Sequence, residues 1–137
     1  MYLRVAAVLL VVFAAVGHSI ICYESDNTGL VHEVNNASWS YCALIPPMTS
    51  RPVTGRVFGV GPNNDWTEAY DHTFGLKDRY YNILSICILE KYDFRTLSPQ
   101  FTNHSPEFLF RCVCNYDRCN HANTFSAYIN AVEMENQ

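Results

Sequence analysis

The chain opens on an apolar run that never alternates. After Arg4, the twelve residues from Val5 to Val16 carry no charge, and small residues follow at Ala15, Gly17 and Ser19. A basic start, an apolar centre and a small-residue exit define a secretory signal peptide over residues 1–19, with cleavage expected after Gly17 or Ser19. The run is shorter than the ~20 apolar residues a bilayer span needs, so the expectation is removal. Because Ile20 and Ile21 extend the apolar character, retention as an anchor is the alternative.

Past this segment the pattern turns β-rich. "YYNILSICILEKY" (80–92) is dense in β-formers and predicts a long central strand, and "FLFRCVC" (108–114) alternates partly. "WSYCALI" (39–45) and "GRVFGV" (55–60) predict shorter strands, while "PPMTSRP" (46–52) and "GPNND" (61–65) punctuate the chain as loops. "DWTEAYDHTFG" departs from this pattern. Asp65 stands at a capping position, Glu68 three residues on, and Gly75 at the end; Trp66, Tyr70 and Phe74 then fall on one helical face. In the tail, 121–137, Phe125, Tyr128, Ile129 and Val132 recur at helical spacing. Such a face predicts a helix that packs back on the sheet or frays in solvent, in preference to a docking helix. Glu133 and Glu135 near its end oppose the helix dipole and disfavour anionic membranes.

The cysteines decide the class. All six, at 22, 42, 87, 112, 114 and 119, lie beyond the signal, and an even number in a small secreted chain reads as a disulfide framework. Cys112, Cys114, Cys119 and His121 can be written as a zinc site, but Cys-x-Cys is tighter than the usual ligand spacing and three cysteines would be stranded. No nucleophile elbow, zinc-protease helix or phosphate loop occurs, and the five histidines stand singly. Neither a catalytic residue nor a cofactor is expected. Nine Lys and Arg less the excised Arg4 leave eight against thirteen Asp and Glu, a net charge of −5, which argues against a nucleic-acid partner. Asn36-Ala37-Ser38 and Asn103-His104-Ser105 are N-glycosylation acceptor sequences.

"CVCNYDRCN" (112–120) resembles the C-terminal signature of the three-finger family: Ly6/uPAR domains, snake three-finger toxins and activin-receptor-type ectodomains. "ICYES" (21–25) resembles its opening, with Ser25 where a second cysteine often stands. The resemblance covers residues 20–120 and implies an antiparallel three-finger sheet on a disulfide root. It implies the pairs Cys22–Cys42, Cys87–Cys112 and Cys114–Cys119, and a structural Asn120 that ties the terminal loop to the root strands. The family's bridge between fingers one and two has no counterpart.

The combined reading is a small disulfide-rich, mainly β domain at 20–120, with a short helix in the second finger and a helical tail. Its expected role is a secreted, non-enzymatic module that presents loops to an extracellular or cell-surface protein, with no stable membrane anchor. A small secreted hydrolase or hydrolase inhibitor on another disulfide fold is the alternative. Partner contacts are expected in segment 62–78, through Trp66, Tyr70 and Phe74 with Glu68 and Asp71. Aromatics dominate interface energetics and rim carboxylates steer encounter.

Overall fold

Among the described residues, six strands form three successive antiparallel hairpins. The computed structural model describes residues 19–47, 55–61, 67–97, 100, 103, 105–122 and 124–137. Strand β1 (Ile20–Ser25) pairs with β2 (Val31–Asn36), and β3 (Tyr41–Ile45) with β4 (Arg56–Val60). Helix α1 (Thr67–Phe74) leads to the third hairpin, β5 (Ser85–Tyr92) with β6 (Glu107–Cys114), and helix α2 (Phe125–Glu135) follows. β1 and β2 stand as a two-stranded sheet; the other four run in the order β4-β3-β6-β5. The protein is thus small, disulfide-rich and mainly β.

Strand β3 is the centre. Tyr41, Cys42, Ala43 and Leu44 are all buried, because β3 is covered on both faces. One face carries Cys42, Leu44, Val57, Cys112 and Cys114, and packs with Tyr128 and Val132 of α2. The other carries Tyr41, Ala43, Val60 and Val113, and packs with Tyr70 and Phe74 of α1. Period-two alternation in the strands and period-four spacing in the helices meet at these two layers.

All six cysteines are joined, as Cys22–Cys42, Cys87–Cys112 and Cys114–Cys119, the pairs that the resemblance implies. Cys87 and Cys112 face each other directly across β5 and β6, while Cys114 sits opposite Cys42 on β3. One-residue spacing keeps Cys112 and Cys114 on the same face, so both sulfurs reach the root.

Three features differ from the sequence expectation. β5 begins at Ser85, five residues later than Tyr80, because 77–82 folds into a turn of its own. There Asp78 donates its N–H to the Tyr81 carbonyl and accepts from the Tyr80 N–H, beside a Lys77–Asn82 bridge. β2, "VHEVNN", is too polar to stand out as a strand; it is mostly exposed and held by pairing with β1. Helix α1 lies in the connection between β4 and β5. Much of loops 46–52 and 61–65 lies outside the described residues.

Candidate interaction surface

The root fixes everything else. Asn120 is fully buried, and its Nδ2 donates to the carbonyls of Tyr23 (3.0 Å) and Ala43 (2.9 Å) while its Oδ1 accepts from the Tyr23 N–H at 2.9 Å. One side chain thereby joins β1, β3 and the terminal loop. Two neighbours repeat the move on Ile21. Asp117 accepts its N–H at 3.0 Å, and Arg118 donates its own N–H to the Ile21 carbonyl at 2.6 Å. Arg118 does so from left-handed backbone (φ 60°) and clasps Glu33 of β2 with Nε and a terminal nitrogen. That guanidinium lowers the Glu33 carboxyl pKa. Ser25 accepts the Val57 N–H through Oγ and so ties β1 to β4.

The segment expected to meet a partner is divided. Tyr70 and Phe74 are 5% and 7% exposed and belong to the core; they are corrected from contact residues to packing residues. Their spacing put them on one helix face, and that face is the one turned to the sheet. Phe74 stacks on Tyr41 at 5.3 Å, and Tyr70 meets the same ring edge-on at 5.7 Å. Glu68 is exposed. Asp71 is exposed too, but its carboxylate accepts from the Tyr41 hydroxyl. Burial raises the Tyr41 hydroxyl above the ordinary tyrosine range, and Asp71 adds to the shift. Trp66 lies outside the described residues.

A different apolar surface is on view. On the α2 side of the third hairpin, Leu89 pairs with Phe110 in register and Lys91 with Phe108. Leu89 is 66% exposed and Phe108 43%. Phe110 meets Phe125 of α2 edge-on at 5.2 Å, and Phe125 is itself 42% exposed. Leu89, Phe108, Phe110 and Phe125 therefore form one stripe leading outward from the Cys87–Cys112 bridge. "FLF" carried the signal: Phe108 and Phe110 share a face in any strand. The partner residues could not be read from sequence, since register and helix placement bring Leu89 and Phe125 alongside.

The opposite side of this hairpin is locked. Glu90 accepts from Arg111, the two side chains being only 11% and 13% exposed, and from the Tyr92 hydroxyl at 3.0 Å. Tyr92 stacks on Phe94 at 6.0 Å. At the hairpin's end Arg95 holds the Asp93 carboxyl at about 2, well below its usual range, with Lys91 3.8 Å away. Among the described residues no group of His, Cys, Asp and Glu is arranged to hold a metal ion. Of the glycosylation sequences, Asn36 accepts from the Ser38 N–H and hydroxyl in a tight turn, and Asn103 is exposed.

Fold and site together define a disulfide-rooted β-hairpin protein. By its sequence the chain belongs to the Family of unknown function (DUF5354), whose model matches residues 12–133. No curated protein and no solved structure matches it.

Proposed function

We propose that this protein is a secreted, non-enzymatic binding module that meets an extracellular protein with its third hairpin. The observation that carries the reading is the stripe Leu89, Phe108, Phe110 and Phe125 on a hairpin anchored by Cys87–Cys112. Exposed aromatic and aliphatic side chains on fixed backbone bind at little ordering cost, and aromatics concentrate interface energy. Three successive hairpins, the three cysteine pairs and the role of Asn120 support placing the protein with three-finger modules. Disulfides suit an oxidising compartment, and no helix among the described residues is long and apolar enough to cross a membrane. Under this reading residues 1–19 are removed on export, and Asn36 and Asn103 receive glycans.

The test is capture from extracellular fluid or cell surfaces with the purified, oxidised protein. Leu89→Glu and Phe108→Ala should abolish capture of the partner that the wild type retains, with melting temperature nearly unchanged. Capture that survives both substitutions would remove the third hairpin from the function. Mature protein sequenced from the medium should lack its first 17 to 19 residues; a start at Met1 would contradict secretion by a cleaved signal.

A further inference from the structure

Between the first two hairpins lies a cleft of about 340 Å³. This is within the range of small-molecule sites, about 300–1,000 Å³. Its floor is apolar: Leu44 and Val57 come from the second hairpin, Ala122 from the segment before α2, and Val31 from the first hairpin. A second hollow of about 350 Å³ shares Ser25, Gly29, Gly55 and Arg56 with it and extends it toward the turn at Asp26. The charged residue common to both is Arg56.

Arg56 differs from the other described arginines. Arg95, Arg111 and Arg118 are paired with Asp93, Glu90 and Glu33, and Arg79 lies over the Tyr80 ring at 5.4 Å. Arg56 is exposed and has no carboxylate partner among the described residues. Asp26, in the extension, is occupied within its own turn, where one oxygen accepts from the Thr28 and Leu30 N–H groups and the Thr28 hydroxyl. His121 also lines the cleft, its Nδ1 3.2 Å from the Arg118 carbonyl and 4.0 Å from Glu135. The lining therefore combines a cation without a carboxylate partner among the described residues, Arg56, with an apolar trough. Guanidinium recognises carboxylate by two parallel charge-assisted hydrogen bonds, and a trough of aliphatic side chains takes an alkyl chain.

We infer that this cleft is a binding site for an aliphatic carboxylate, with Arg56 holding the head group and Val31, Leu44 and Val57 contacting the chain. The site is separate from the stripe on the third hairpin, whose four residues do not line it. Calorimetric titration of the full oxidised protein with decanoate, and in parallel with decanol, tests it. Decanoate should bind saturably at one site. Arg56→Ala should weaken decanoate by about tenfold or more, the scale of a lost hydrogen bond to a charged group, and leave decanol unchanged. Arg79→Ala, which removes the same charge away from the cleft, should have no effect. Val31→Glu, at a position 53% exposed where the fold tolerates it, should weaken decanoate more than decanol. Absence of saturable decanoate binding overturns the inference, and so does equal weakening of decanoate and decanol by Arg56→Ala.

Discussion

Asn120 shows how much one side chain decides here. Its amide bonds two carbonyls and one N–H on β1 and β3, all far from it in sequence. An unsatisfied buried polar group costs about 1–3 kcal/mol, so Asn120→Ala should lower stability by roughly 2–4 kcal/mol in denaturant unfolding. A loss below about 1 kcal/mol would mean that water replaces the amide. Gly59 is the steric counterpart. A Cβ there would lie 1.9 Å from Cδ2 of Trp39, so the indole occupies the space a side chain would need. Gly59→Ala should destabilise by about 1–3 kcal/mol through overpacking, and Gly59→Ala with Trp39→Leu should recover part of it. Failure of the double substitution to recover stability would place the cost in the backbone.

The two helices have similar amphipathic spacing, and each buries its apolar face on one side of the four-stranded sheet. In α2, Tyr128 is fully buried and its hydroxyl bonds Ser85 at 2.6 Å, whereas Phe125 stays half in solvent at the stripe. Thr124 caps the helix by accepting the Ala127 N–H. Tyr128→Ala should therefore cost about 3–5 kcal/mol, as a deleted core aromatic does. Thr124→Ala should cost about 1 kcal/mol. Phe125→Ala should leave melting nearly unchanged while weakening partner capture. A Phe125→Ala protein that melts early but still binds would make the stripe part of the packing.

For the whole molecule, loop length ranks the bridges by the chain they close. Cys87–Cys112 spans 25 residues and Cys114–Cys119 only 5. Chain entropy alone gives about 3.5 and about 2 kcal/mol. The short loop, however, presents Asp117, Arg118 and Asn120 to β1 and β3. Replacing Cys114 and Cys119 by Ala should thus cost clearly more than its loop-length value, and denaturant unfolding of each double variant measures the difference. Alkaline pH addresses the core as a unit. Burial raises the hydroxyls of Tyr41, Tyr70, Tyr92 and Tyr128, and that of Tyr116 to about 12. Above pH ~10 the unfolded chain releases these protons before the folded one, so stability is full below that pH and falls as pH rises through it. Tyrosinate absorbance for this group should rise together with loss of β-sheet circular dichroism. Ionisation that precedes unfolding would show that these rings are solvated.

What the sequence determined by itself is local or compositional. Cysteine number set the disulfide class, stretches rich in β-formers marked β3, β4, β5 and β6, and apolar residues at helical spacing marked both helices, because each of these signals is compositional or carried within a few neighbouring residues. The cysteine pairs and the role of Asn120 came from resemblance, since no local pattern selects one pairing among the fifteen that six cysteines allow. Tertiary structure decided which side of each element is buried. Tyr70 and Phe74 read as a binding face until β3 is laid against them. Leu89 and Phe125, 36 residues apart in the chain, become part of one surface only through strand register and the docking of α2. A helical face is apolar in the same way whether it meets a core or a partner, and only the position of the remaining chain distinguishes the two.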